Sequence, residues 1–293
     1  MRVLITGARG QVGCELMRRV PQGFDVVGMG STELDIAVAD QVKAVVSDVR
    51  PQLIINAAAY TAVDKAESDA ERAWAVNRDG VDNLAKAAEE LAIPLLHIST
   101  DYVFSGKANE PYRESDATYP SGVYGASKLG GEEALVANCR QHLILRTSWV
   151  FGAHGNNFVK TMLRLGRERD TLSVVADQHG CPTSAASIAD ALWSLARQYQ
   201  KSEALQWGVY HFSGDPACTW YQFAEEIFRQ APEMGMLVKV PKLKPIPTTE
   251  YPTPAKRPLW SVLGCNRLYD VFGIAQVDWR VELGLVLREL GSP

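Results

Sequence analysis

The sequence predicts an α/β fold, a doubly wound parallel sheet of the Rossmann type with a smaller mixed α/β C-terminal substrate-binding region. Three observations predict it. A short aliphatic run, Arg2 to Thr6, leads straight into a glycine-rich turn and a helical pattern. Apolar runs of strand length then alternate with helical patterns up to about residue 145. Hydroxyl, phenol and ammonium groups collect where those strands end. Repeated strand–helix units give parallel strands, right-handed crossovers and helices on both faces.

The elements follow in order. Residues 2–6 form a strand, and a helix containing Leu16 and Met17 follows the turn. The run 24–27 is a second strand before a helix over 40–49, and 53–55 is a third before a helix over 70–91. Runs 95–98 and 143–145 are further strands, with a helix over 121–137 between them. Residues 1–150 thus form a dinucleotide-binding domain. From 151 to 293 the rhythm is mixed, as expected of a substrate-binding region whose elements interleave with the first. It holds a helix near 157–167, a strand near 171–175, a helix over 187–198, a strand over 209–212 and a helix over 220–230. Six prolines between Pro241 and Pro258 predict an extended loop, of the kind that covers a ligand.

Composition narrows the function. The 293 residues are 46% hydrophobic and 22% charged with a net charge of -4, so nothing draws the chain to nucleic acid or to an anionic membrane. Cys14, Cys139, Cys181, Cys218 and Cys265 are scattered without a CxxC or Cys/His cluster, which argues for reduced thiols and against zinc or a disulfide framework. The first residues show no signal-peptide pattern, and no apolar run approaches the roughly 20 residues that span a bilayer. A cytoplasmic protein is expected.

The turn Gly7-Ala8-Arg9-Gly10-Gln11-Val12-Gly13 has the spacing GxxGxxG between a strand and a helix. Exposed N–H groups and the helix dipole there attract a pyrophosphate. The second strand ends in Val27-Gly28-Met29-Gly30-Ser31-Thr32, with no acid before Glu33 to bind a ribose hydroxyl and repel a 2′-phosphate. Arg9, Ser31 and Thr32 suit a phosphate, so NADPH is expected at least as readily as NADH. Asp35 and Ile36 are placed to hold the adenine edge, and Ala57, Ala58 and Ala59 close the third strand with side chains small enough for a ribose and phosphate to lie against.

Tyr124 and Lys128 lie four apart in a helix and so share a face. A cation beside a phenol favours the phenolate and lowers a pKa that is ordinarily about 10, which makes the pair a proton donor. Ser99 and Thr100 end the fourth strand, at the carboxyl edge where open parallel sheets bind ligands. With Asn77 in Ala-Val-Asn-Arg-Asp-Gly, this Ser/Thr, Tyr, Lys set resembles the extended short-chain dehydrogenase/reductase superfamily.

Within it the chain resembles the dTDP-4-dehydrorhamnose reductase family nearly end to end, through NAAAYTAVDKAE (56–67), STDYVF (99–104), VYGASKLGGE (123–132), LRTSWVFG (145–152), GNNFVKTML (155–163) and YPTPAKRP (251–258). The resemblance implies reduction of the 4-keto group of dTDP-4-dehydro-L-rhamnose by NAD(P)H. Tyr124 would protonate the carbonyl oxygen, Lys128 would bond the nicotinamide ribose and depress the Tyr124 pKa, and Thr100 would hydrogen-bond the substrate. Asn77 joins the cofactor set. Asp101, Trp149, Asn156, Asn157 and Arg257 join the substrate set, Trp149 as a flat apolar wall and Arg257 as a bidentate fork for phosphate. Lys160 is a further diphosphate candidate, while Asp64 and Lys65 read as a local ion pair.

Some relatives dimerise around magnesium through acids in the first helix and just after an APT-like segment, matched here by Cys181-Pro182-Thr183. Glu15 retains the first, but Cys181-Pro182-Thr183-Ser184-Ala185-Ala186 offers no carboxylate. A hard cation needs several oxygen ligands, so no such metal is expected, and a monomer or a homodimer stays open. The alternatives are a nucleotide-sugar epimerase or dehydratase of the same superfamily, which would not consume NADPH stoichiometrically, and a nonenzymatic NADP-binding regulatory subunit, which need not retain Thr100, Tyr124 and Lys128.

Overall fold

The computed structural model describes residues 1–291; the last two positions of the region 151–293 lie outside them. The amino-terminal alternation runs β1 (Arg2–Thr6), α1 (Gln11–Arg18), β2 (Asp25–Met29), α2 (Ala39–Val49), β3 (Leu53–Asn56), α3 (Val63–Ala66), α4 (Ala70–Trp74), α5 (Gly80–Glu90), β4 (Leu95–Thr100), α6 (Val123–Asn138) and β5 (His142–Thr147). The helix expected over 70–91 is therefore two helices joined by a π-helical turn, Ala75–Asp79. Widened turns of this kind recur at functional sites.

The second half continues with β6 (Val150–Phe151), α7 (Phe158–Glu168), β7 (Thr171–Val175), β8 (His179–Gly180), β9 (Thr183–Ser184), α8 (Ala185–Ser202), β10 (Gly208–His211), β11 (Cys218–Thr219), α9 (Trp220–Glu233), β12 (Lys242–Ile246), α10 (Asn266–Phe272) and α11 (Trp279–Gly291). The proline-rich stretch differs from expectation. Its first residues form β12, parallel to β7 with Lys242 opposite Thr171 and Ile246 opposite Val175. Pro245 is tolerated because the sheet has only two strands, so its missing N–H has an open side to face.

The main sheet is entirely parallel and ordered β10-β5-β4-β3-β1-β2. Chain direction across it reverses between β1 and β3, the switch point where a crevice opens at the carboxyl ends. Buried strands of this type read as continuous aliphatic runs, and Val3, Leu4, Ile5, Leu53, Ile54 and Ile55 are all fully buried. The second half supplies β10 as the sixth strand and packs α8 on α1, so that Ile188, Leu192, Trp193, Tyr210 and Phe212 share one core with Val3, Ile5 and Leu16. A separate core under α7, α9 and α11 includes Phe151, Phe223, Ile227 and Trp279.

Candidate active site

A cleft of about 360 Å³ opens at the β1/β3 switch point, lined by Gly7, Arg9, Gly10, Gly30, Ser31, Leu34, Asp35, Ile36, Ala57, Ala58, Ala59, Tyr60, Arg72 and Val76. Gly7 sits at φ +70, and a β-carbon there would lie 2.5 Å from the Ala58 nitrogen. Only glycine lets the turn close on β3, which presents the amino end of α1 to the cleft. Gln11 and Val12 open that helix, and Gln11 Oε1 accepts from Asn157 Nδ2 at 3.0 Å. The shape and the small side chains fit a dinucleotide.

Glu33 alters the reading of the second strand. Although it lies beyond Gly30 in sequence, it folds back to accept from the Gly30 N–H at 2.9 Å and pairs with Arg9. An acid therefore does stand at the tip of β2. Asp35 is held by Arg72 at 2.9 Å, and Ile36 is buried beneath the cleft.

At the carboxyl edge of β4, the Thr100 hydroxyl caps a 3-10 turn (Asp101–Val103), accepting from Tyr102 N at 3.2 Å and donating to Asp101 Oδ1 at 2.9 Å. It also meets the Tyr124 phenol from α6. Burial pushes that phenol well above its ordinary range; the Thr100 bond opposes the rise, and Asp101 and Tyr102 add to it. Asp101 is itself buried, with Oδ2 unpartnered, and burial lifts its carboxyl to about 6, with its neighbours Ser261 and Thr100 opposing the rise.

Lys128 does not lower the Tyr124 pKa here, contrary to expectation. Its Nζ turns to the back wall, donating to the Ile98 carbonyl at 2.7 Å and lying 3.2 Å from His97 Nε2. A shared helix face brings two side chains near each other, but it does not decide where a long flexible one ends.

Asn77 sits in the π-helical turn, where its amide bonds both backbone groups of Tyr60 and the Ser127 hydroxyl. It clamps the loop after β3 onto α6. Sequence reasoning missed the support beneath: Glu132, one turn past Lys128, is buried and paired with Arg146 of β5 at 2.6 Å, and accepts from Ser99. A Glu eight residues after Tyr124 was the available signal, but its partner lies on another strand.

Trp149 follows β5 with φ +46, and its indole stacks on Trp220 with ring centroids 3.5 Å apart. Gly180 leaves the slot, since a β-carbon there would fall 2.4 Å from the indole. Arg257 reaches across from the proline-rich loop to Asp64 at 2.6 Å and to the Tyr102 hydroxyl at 3.2 Å. Asp64 thus pairs with Arg257 and not with Lys65, whose partner is Asp69 at 3.7 Å. Asn157 caps α7 through Lys160 N, Lys160 Nζ donates to the Ala153 carbonyl, and Asn156 is exposed.

The acids gathered around Glu15 come from elements the 181–186 segment does not contain. Atoms of Glu15, His154 and Glu289 lie within 4.8 Å of one another. Arg18 bonds Glu289 and His154, and Arg19 bridges Glu15 to Asp190, so arginines already compensate the carboxylates. Among the described residues no helix is long and apolar enough to cross a membrane.

A family model described as RmlD substrate binding domain matches residues 1–292. The chain is 45% identical to a dTDP-4-dehydrorhamnose reductase of Aggregatibacter actinomycetemcomitans, over 96% of this chain and 97% of that protein. Among solved structures, a dTDP-4-dehydrorhamnose reductase of Clostridium acetobutylicum superposes with a TM-score of 0.92 at 38% identity, covering 100% of both chains. The Bacillus anthracis enzyme of that name, solved in complex with NADP, superposes with a TM-score of 0.91 at 38% identity, covering 98% of this chain and 99% of that one.

Proposed function

Because this chain belongs to the dTDP-4-dehydrorhamnose reductase family, we propose that it reduces the 4-keto group of dTDP-4-dehydro-L-rhamnose to give dTDP-L-rhamnose, with NADPH or NADH as reductant. The observation that carries this reading is the meeting of Thr100 and Tyr124 at the carboxyl edge of a parallel sheet, beside a glycine-lined cleft that fits a dinucleotide. A reduced nicotinamide supplies the hydride when bound.

The chain's own residues do the rest. Thr100 orients the Tyr124 phenol, and Tyr124 gives its proton to the carbonyl oxygen as negative charge develops there. A phenol whose pKa burial has raised keeps its proton until that charge appears. Lys128 comes forward to stabilise the phenolate left behind. Asp101 and Trp149 bound the hexose, and Arg257 with Asn156 and Asn157 lies toward its diphosphate. Arg9 and Glu33 at the β2 tip offer a cation for a 2′-phosphate and an acid for a free 2′-hydroxyl, which supports use of both nucleotides.

The test mixes the protein with NADPH and dTDP-4-dehydro-L-rhamnose, follows loss of nicotinamide absorbance and identifies the sugar. Stoichiometric oxidation with formation of the 4-hydroxy sugar is expected. Conversion of the sugar without net NADPH loss would replace this reading with an epimerase.

A further inference from the structure

A row of buried polar side chains crosses the sheet behind Lys128. Thr6, Asn56 and His97 stand opposite one another on β1, β3 and β4, so their side chains share one face of the sheet. None is more than 1% exposed. Asn56 Oδ1 accepts from the Thr6 hydroxyl at 2.7 Å and from the Ala58 backbone N–H at 3.0 Å.

A backbone N–H only donates, and that settles which end of the Asn56 amide is oxygen. The amide nitrogen then faces His97 Nδ1 at 2.9 Å. An amide nitrogen also only donates, so Nδ1 is the acceptor and the ring proton resides on Nε2. Nε2 lies 3.2 Å from Lys128 Nζ. An ammonium at that position would set two donors against each other. A neutral amine offers His97 its lone pair and still donates to the Ile98 carbonyl at 2.7 Å.

We propose that His97, oriented by Asn56, is a positioning residue that stores Lys128 as the neutral amine against the back wall of the site. The surrounding charges permit it. Glu132 on the same helix is the carboxylate whose field reaches Lys128, and it is already bonded to Arg146 of β5 and Ser99 of β4. Asp101 and Tyr102 face Tyr124. Other elements packed against α6 carry solvent-facing pairs: Lys65 with Asp69, Arg72 with Asp35, Arg78 with Asp79 and Lys86 with Asp82. Burial draws the Lys128 ammonium down to about 8, with Glu132 opposing, and holds His97 neutral; the contact of two donors at His97 Nε2 carries Lys128 the rest of the way below neutral pH.

Lys128 acts on Tyr124 only after its amine leaves His97 and takes a proton from solvent. That consequence rests on the proposed reductase reading; the storage itself does not.

The test is nitrogen-15 NMR of the full cofactor-free chain, with His97 assigned through His97→Gln and the Lys128 amine through Lys128→Met. The expected result is the Nε2–H tautomer and a Lys128 amine that is already neutral at pH 7, its titration falling below neutral pH. Asn56→Asp is isosteric but turns a donor into an acceptor, so it moves the ring proton to Nδ1, gives Lys128 an acceptor and raises its titration by roughly one pH unit or more. His97→Gln, which can accept from Asn56 and donate to Lys128, keeps the low titration. A proton on Nδ1 in the unmodified chain, or a Lys128 that is still an ammonium at pH 7, overturns the proposal. So does an Asn56→Asp variant that leaves the tautomer unchanged. A chain that shows the expected NMR pattern but oxidises no NADPH would sink the reductase reading alone.

Discussion

Tyr124 holds a proton that burial and two neighbouring acidic groups make hard to lose. Tyr124→Phe removes that proton and little volume, so turnover should fall by roughly 10²- to 10⁴-fold while NADPH affinity, measured by fluorescence titration, stays within a few-fold. Near-normal turnover would exclude Tyr124 as the acid. Asp101 allows a prediction on stability. Its carboxyl lies at about 6 in the folded chain and about 3.9 unfolded, so between these values the folded state binds more protons and stability falls as pH rises. The gap corresponds to about 3 kcal/mol once pH exceeds 6. Asp101→Asn should therefore melt higher than the unmodified chain at pH 8, with the difference vanishing near pH 4, and should lose activity. Equal melting temperatures at pH 8 would show that the carboxylate finds compensation.

At the scale of elements, the stacked Trp149 and Trp220 join the end of β5 to the start of α9. Trp149 stands in a left-handed backbone conformation that bulky residues avoid, and Trp220 stacks against it. Trp220→Ala removes a pair worth about 0.5–1.5 kcal/mol, so the KM for the sugar nucleotide should rise from a few-fold to about tenfold with NADPH binding unchanged; an unaltered KM would mean Trp149 holds its place alone. The strand–helix alternation of the first half was legible because buried parallel strands are aliphatic and their helices amphipathic. The strand β12 was not, because Pro245 marks loops and only the partner β7 shows that its missing N–H goes unused. Thr100, Tyr124 and the glycine turn announced themselves by local spacing. Glu33, His97, Glu132 and Arg146 did not, since each takes its meaning from a fold-back or from a neighbouring strand.

For the whole molecule, the second half is structural to the first. The sixth strand and the helix α8 come from residues beyond 150 and bury Ile188, Leu192, Trp193, Tyr210 and Phe212 against the first core. A fragment of residues 1–150 should accordingly lack a cooperative thermal transition by circular dichroism and bind NADPH weakly or not at all; a sharp transition would show that β10 and α8 are dispensable. The strand order also bears on synthesis. β5 is complete at Thr147, but its neighbour begins at Gly208. At roughly 5–20 residues per second, a ribosome takes on the order of three to twelve seconds to make the intervening chain. During that interval α6 has emerged while the sheet beside it still offers an unpaired edge, so the nascent chain spends seconds as a substrate for chaperones before it can serve as a catalyst.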